Sequence, residues 1–201
     1  SAGGSIASPC VVDVTGSTLA LTGTLTKTGG TLTTTTSTLG LGGAANLTLD
    51  AGVTFPTVNL NNLALTLGSA TSDLTITNAL TFDNALEQIV TGAADLTLSS
   101  ALTSFTLGTI SSTAGTVTLT GINTFGSGVF DISGSTLILS GNLTTTSATL
   151  TSTASTNLTI STDVTLTSGQ AILSGTLTLN DKILTLGSAT SDLTVANALT
   201  I

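Results

Sequence analysis

The stretch GTVTLTG, residues 115–121, alternates aliphatic residues with threonine between two glycines. Because successive side chains of a β-strand point to opposite sides of the sheet, this period of two predicts a strand with one buried face. Threonine is β-branched and favours the extended backbone, whereas the flanking glycines favour turns. The stretch therefore predicts a short strand between two turns.

The same spacing recurs along the chain, at residues 19–21, 47–49, 74–76, 96–98, 117–119 and 177–179. The apolar residues that open such strands are Leu47, Leu74, Leu96, Val117, Leu137, Leu158, Leu177 and Leu193, with steps of 27, 22, 21, 20, 21, 19 and 16. A mean step near 21 residues is typical of one coil of a parallel β-helix, in which each coil stacks on the previous one. Only residues 85–90 suggest a short helix.

We therefore predict an all-β fold, a parallel β-solenoid (β-helix) of about 20–22 residues per coil and roughly ten coils. Residues 1–14 differ in composition and are predicted to be a leader, a cap or an inter-subunit segment. Residues 15–201 are predicted to form a single solenoid. The core is expected to consist of many small aliphatic contacts, because only 2% of the residues are aromatic.

The solenoid contains an internal duplication. Residues 65–82 recur as residues 184–201 with only three differences. So long a repeat indicates duplication of several coils together, and it predicts that both copies occupy the same structural place. The second copy includes Leu193, Val195, Leu199 and Ile201, apolar residues of a strand-like segment. We expect them to form an inter-subunit stacking edge, unless the chain is part of a longer protein.

Composition argues against several classes of function. The formal net charge is −8, and Lys27 and Lys182 are the only basic residues, so binding to nucleic acid or to an anionic membrane surface is not expected. No apolar stretch is long enough to predict membrane insertion. The chain lacks His and Arg and contains a single Cys. We therefore expect no enzyme activity, no cofactor and no metal site.

Carboxylates are the remaining candidates for chemistry. Polysaccharide-cleaving β-helices use clustered acids, and Asp73 and Asp95 would lie in neighbouring coils. However, Asp73, Asp95 and Asp192 each precede a Leu-Thr pair, as Asn46 and Asn157 do elsewhere. Asp or Asn at the start of a strand commonly closes a turn, and this structural interpretation is favoured.

Four residues are candidates for modification. Cys10 is an inert small residue, an intermolecular crosslink or a modified terminus. Asn46, Asn142 and Asn157 each begin an Asn-Leu-Thr sequence that fits the glycosylation pattern. In a chain so rich in threonine this pattern also arises by chance.

Residues 115–141, GTVTLTGINTFGSGVFDISGSTLILSG, resemble the autotransporter-associated β-strand repeat. That repeat has a Gly-Thr-Leu-Thr-Leu strand, an Asn-Thr-aromatic turn and a second strand. The rest of the chain is generally similar to filamentous-haemagglutinin-like β-solenoid proteins. The resemblance implies a secreted, mostly bacterial, right-handed parallel β-helix used in adhesion and surface structures.

The leading functional hypothesis is therefore an extracellular structural protein at the cell surface. It would be a subunit of a head-to-tail homopolymer or a segment of a long adhesin, with itself and surface glycans as partners. An ice-binding protein is an alternative, because Thr-x-Thr pairs at residues 22–26, 118–120 and 176–178 suggest outward threonine ladders. Coil steps from 16 to 27 residues argue against the flat face that ice binding needs. A polysaccharide-binding or polysaccharide-cleaving β-helix is a second alternative.

Overall fold

The chain forms a parallel β-solenoid of about nine turns with about 21 residues each. The computed structural model describes residues 4–99, 104–121, 123–169 and 172–201, and in these ranges it contains 25 strands and no helix. The predicted all-β solenoid and its coil length are confirmed.

The strands belong to four sheets. The eight-stranded sheet has the order β1 (Gly4–Ala7), β4 (Thr24–Thr28), β7 (Ala45–Leu49), β9 (Ala64–Leu67), β11 (Gln88–Gly92), β14 (Thr109–Ser112), β17 (Val129–Asp131) and β20 (Thr149–Thr151). The eleven-stranded sheet comprises β3 (Thr18–Leu21), β6 (Thr38–Leu41), β8 (Val53–Asn59), β10 (Leu74–Phe82), β12 (Leu96–Leu98), β15 (Thr116–Thr120), β18 (Thr136–Ser140), β21 (Asn157–Ile160), β23 (Ile172–Thr178) and β25 (Leu193–Thr200), with β13 (Ser104–Phe105) beside β10. The smaller sheets are β16 (Asn123–Phe125), β19 (Leu143–Thr145), β22 (Val164–Ser168) and β24 (Leu184–Leu186), and the pair β2 (Val11–Asp13) and β5 (Thr31–Thr33).

Coil length varies less than the sequence suggests. Stacked residues are separated by 19 residues where Thr38 pairs with Thr57, and by 24 where Ala64 pairs with Gln88. The other registers lie between these values. The predicted steps of 27 and 16 are therefore wrong.

Both wrong steps come from residues assigned to the wrong side of the coil. Leu47 lies in the eight-stranded sheet, and the residue stacked below Leu74 is Val53, 21 positions earlier. At the other end Leu177 stacks on Leu199, 22 positions later, in the second half of β25. All sides of the coil carry the same alternating pattern, so the pattern alone does not distinguish them.

Long strands turn corners between sides of the coil. In β8 the first half pairs with β10 through Val53, and the second half pairs with β6 through Thr57. Register shifts in the middle of the β8–β10 and β23–β25 pairs mark these corners. One strand thus contributes to two sides of the solenoid.

Columns of inward side chains fill the interior. We use column for residues that stack at the same position of successive coils. Leu98, Leu119, Leu139 and Ile160 form one such column and are all at most 2% exposed. The apolar residues of alternate positions thereby form one continuous core along the axis.

The core also contains an aromatic ladder, which the sequence did not predict. Phe82, Phe105, Phe125 and Phe130 are buried, and successive ring centroids lie 4.6, 4.5 and 4.7 Å apart. Ring contacts of this kind add about 0.5–1.5 kcal/mol beyond the area that they bury. The expectation of a purely aliphatic core is therefore wrong in this region.

The two copies of the duplicated block form the same local structure on different sides of the coil. The first copy begins with β9 in the eight-stranded sheet, whereas the second begins with β24 in the four-stranded sheet. Their offset of 119 residues is about five and two-thirds coils. The prediction that both copies occupy the same structural place is wrong, because the second copy is displaced by about one third of a turn.

The corner inside each copy uses identical hydrogen bonds. The Ser72 hydroxyl accepts a hydrogen bond from the Leu49 N–H at 2.8 Å. The Ser191 hydroxyl accepts one from the Ser168 N–H, also at 2.8 Å. Both serines are buried, so each satisfies a backbone group that is removed from water.

The expected helix at residues 85–90 is wrong. The segment is a turn followed by β11, and the carboxylate of Glu87, only 5% exposed, holds the turn. That carboxylate accepts hydrogen bonds from the backbone N–H groups of Asp83 at 2.7 Å, Asn84 at 3.2 Å and Asn62 at 3.3 Å. These bonds favour the turn over continued helical hydrogen bonding.

The N-terminal segment joins the solenoid. Within residues 1–14, β1 pairs with β4 and β2 pairs with β5, both in parallel register. Its role as a leader, a cap or an inter-subunit segment stays a prediction.

Candidate functional site

The most regular surface feature is a column of outward threonines on the eleven-stranded sheet. We call it the threonine ladder. It runs through eight successive coils, seven of which contribute Thr and one Ile: Thr54, Thr75, Thr97, Thr118, Ile138, Thr159, Thr178 and Thr200.

A second outward column lies two residues earlier on the same strands, where Thr116, Thr136, Asn157 and Thr176 are stacked in register. On β15, β18, β21 and β23 the two columns form a surface two residues wide and four coils long. We call it the threonine array. It consists of Thr116, Thr118, Thr136, Ile138, Asn157, Thr159, Thr176 and Thr178.

The core holds the array in place. Between the outward residues of β15, Val117 and Leu119 point inward and are fully buried. Array residues are half-buried because each lies between the side chains of the coils on either side. The β-branched residues of the array have restricted χ1 rotation, which further fixes their hydroxyl and methyl groups.

The sequence predicted only part of this surface. Its Thr-x-Thr pairs at residues 118–120 and 176–178 do lie on the eleven-stranded sheet. The pairs at residues 22–26 do not, because β4 belongs to the eight-stranded sheet. The ladder members Thr75 and Thr97 were missed. Their signal is recurrence after about 21 residues, not local spacing.

The two acids that were candidates for catalysis lie at one end of the array. Asp73 accepts a hydrogen bond from the Asp95 N–H at 2.9 Å, and Asp95 accepts one from the Thr116 N–H at 2.6 Å. Each carboxylate thus bonds the backbone of the following coil. This contact supports the structural interpretation of these residues.

The other members of that group are placed differently. Asn157 lies in the array, but Asn46 lies in the eight-stranded sheet. The carbonyl of Asp192 accepts a hydrogen bond from the Ile172 N–H, at the other half of the β23–β25 pair. The expectation of one common turn position for all five residues is therefore wrong.

One ion pair links neighbouring coils near the N-terminus. The Asp50 carboxylate accepts hydrogen bonds from the Lys27 ammonium and from the Gly29 N–H. The Lys27 ammonium, followed by the Gly29 N–H, holds the pKa of Asp50 below its usual value. Asp13 shows a similar effect, because hydrogen bonds from Thr15 lower its pKa.

The predicted stacking-edge residues all lie in or directly after β25, whose one paired neighbour in the described structure is β23. Leu199 continues an inward column, but its exposed fraction is 55%, compared with 6% for Leu177 beneath it. Ile201 is 81% exposed, whereas Leu193 and Val195 are half-buried. Leu199 would be buried if a further coil stacked on β25.

The predicted modification sites are on the surface or partly exposed. Cys10 is an exposed free thiol. The amide oxygen of Asn142 accepts a hydrogen bond from the Thr165 N–H at 2.7 Å, and that of Asn157 accepts one from the Thr176 hydroxyl at 2.5 Å. Crosslinking and glycosylation stay predictions.

Comparison with known protein families, with curated proteins and with solved structures finds no match to this chain. In the described ranges no group of three or more His, Cys, Asp or Glu side chains is placed to hold a metal ion. The same ranges contain no helical segment with the length and apolarity needed to cross a bilayer. The fold itself is that of β-helix repeat proteins in general.

Proposed function

We propose that this chain is a rod-forming structural segment of an extracellular filament or a long surface adhesin, without a catalytic role. The observation that carries the proposal is the unbroken parallel stacking of coils, in which each coil forms hydrogen bonds to the next along the axis. Such a ladder adds length with every coil and needs no other scaffold.

The resemblance of residues 115–141 to the autotransporter-associated β-strand repeat supports secretion and a surface location. In the structure this segment contains β15 at its start and β18 near its end, stacked in register. The strand, turn and strand of the repeat thus correspond to one coil and the beginning of the next.

A scarcity of protease sites also supports an extracellular role. Lys27 and Lys182 are the only residues after which trypsin-like proteases would cut. Lys27 lies in a strand that is paired on both sides, and its side chain is only 15% exposed. A rod with this surface would persist where proteases are present.

We further propose that the edge at β25 is covered by another coil. The exposed inward residue Leu199 and the apolar Ile201 support this, because an open solenoid edge presents apolar core and unpaired backbone groups. In a homopolymer the covering coil would come from a second copy, whereas in a long adhesin it would come from the same chain.

Electron microscopy at increasing protein concentration tests the proposal. We expect short rods that associate end to end, and we expect Leu199→Lys to prevent association because it places a charge inside the stacked interface. Thr200→Lys is the matched control, since its side chain points outward from the same strand. Rods that never associate would exclude the homopolymer and leave the adhesin segment. Particles that are not rod-shaped would refute both.

A further inference from the structure

The threonine array presents groups that the protein itself does not use. At Thr118, Thr159 and Thr178 the side-chain hydroxyl forms no hydrogen bond to another group in the described part of the chain. Each of these residues also exposes a methyl group beside the hydroxyl. The array therefore offers a hydrogen-bonding group and an apolar group at regularly spaced points.

The spacing of the array repeats in two directions. Stacked coils place equivalent residues about 4.7–4.9 Å apart along the axis, and alternate residues of one strand lie about 6.6–6.8 Å apart. Side-chain ladders also favour flat sheets. A soluble ligand would use only a few of these points, whereas a crystal face with its own fixed repeat would contact many of them at once.

Charge and composition restrict the kind of crystal. All eight array residues are uncharged, although the chain has a net charge of −8, so the array does not suit an ionic mineral. Aromatic side chains, which supply large rigid contact areas to flat ligands, are absent from it. All five Phe residues are buried, and the chain has no Tyr or Trp. A neutral lattice of hydrogen-bond donors and acceptors fits best.

We propose that the threonine array binds the surface of ice. Threonine hydroxyls rotate to donate or accept, so they fit either orientation of a lattice water. The methyl groups order the water layer between them, and bridging waters extend the contact. Because the core holds the array rigidly, little conformational entropy is lost on binding.

This site goes beyond the proposed structural role. Ice binding requires only the register between coils of one chain, so it holds whether or not copies associate. It also removes the earlier objection, because the coils of the array differ in length by no more than two residues: the three registers are 20, 21 and 19.

The test is partition of the full chain into slowly growing ice. We expect the wild-type protein to be enriched in the ice fraction. The double substitution Thr159→Lys with Thr178→Lys places two charges on adjacent coils of the array and should abolish enrichment. Thr144→Lys with Thr167→Lys is the matched control, since these threonines are stacked outward residues of adjacent coils on the four-stranded sheet.

Two milder variants keep the test informative if the lysine variant unfolds. Ile138→Thr restores the missing hydroxyl in the ladder and should increase enrichment. Thr159→Ala removes a hydroxyl and a methyl and should decrease it. Circular dichroism in the cold verifies folding of each variant.

Three results would overturn the inference. The first is a wild-type protein that is excluded from ice as completely as an unrelated soluble protein. The second is equal enrichment of the wild type and both folded array variants. The third is array-dependent sedimentation with microcrystalline cellulose without enrichment in ice, which would assign the surface to a polysaccharide.

Discussion

At the scale of single residues, stability depends on thin columns of inward aliphatic side chains. Each side chain packs against the coil above and the coil below, and the next outward residue lies only one position away. Inward and outward substitutions in the same strand should therefore differ greatly in cost.

Leu119 and Thr118 provide the direct comparison. Leu119 is fully buried between Leu98 and Leu139, so we expect Leu119→Ala to lower the free energy of unfolding by about 2–5 kcal/mol. Thr118→Ala, on the outward side, should cost about 1 kcal/mol or less. Urea denaturation followed by circular dichroism measures both. Similar costs would mean that the inward column does not determine stability.

The Lys27–Asp50 pair makes a prediction about pH. The pKa of Asp50 is lower in the folded chain than in the unfolded chain, so its stabilisation is present above the ordinary Asp pKa of about 3.9 and is lost as the pH falls through the folded value. Asp50→Asn should therefore lower Tm at neutral pH, and the difference from wild type should shrink below about pH 4.

Asp181→Asn is the control for that experiment. It removes the same charge from an exposed turn residue, so it separates the local ion pair from the overall net charge. Thermal melts of the three proteins at neutral and acidic pH decide the matter. Equal Tm changes for both variants at neutral pH would show that the ion pair contributes nothing specific.

At the scale of elements, the duplicated corner shows that local sequence determines a turn without determining its place in the coil. Ser72 and Ser191 each bond a buried N–H of the preceding coil, although they belong to different sides of the solenoid. Equivalent corners should have equivalent energetics.

We expect Ser72→Ala and Ser191→Ala each to cost about 1–3 kcal/mol, because each leaves a buried backbone donor without its partner. Hydrogen exchange should accelerate at the Leu49 and Ser168 amides, respectively. Ser17→Ala serves as the control, since Ser17 is exposed and its hydroxyl bonds no group in the described ranges. Slow exchange at both amides in the variants would contradict the shared role of the corner.

The same independence explains which parts of the structure could be predicted from sequence. Alternation at residues 117–119 correctly indicated a strand and which residues point inward. It could not indicate the side of the coil, because Leu47 and Leu74 have the same neighbours but lie in different sheets. The threonine ladder was missed for this reason, since its members are about 21 residues apart and only the register brings them together. The turn at Glu87 depends on three backbone contacts that no local pattern reveals.

At the scale of the whole molecule, the regular hydrogen-bond ladder should leave few places for proteolysis. Native trypsin digestion should cut only after Lys182, which is exposed in a turn, and should yield residues 1–182 and 183–201. Cleavage after Lys27 requires β4 to separate from both neighbours, so it should occur only after unfolding. Mass spectrometry of native and heat-unfolded digests identifies the products. Early native cleavage after Lys27 would show that the first coils open readily.

The stacking of coils also determines how the molecule responds to tension. Strands run across the axis and their hydrogen bonds run along it, so a pull between the two ends loads one coil at a time instead of all coils together. Each coil that peels away releases about 21 residues, which extend by roughly 70 Å at 3.3–3.6 Å per residue. Under load the rod would lengthen in repeated steps at low force, and it would dissipate energy as an extensible tether.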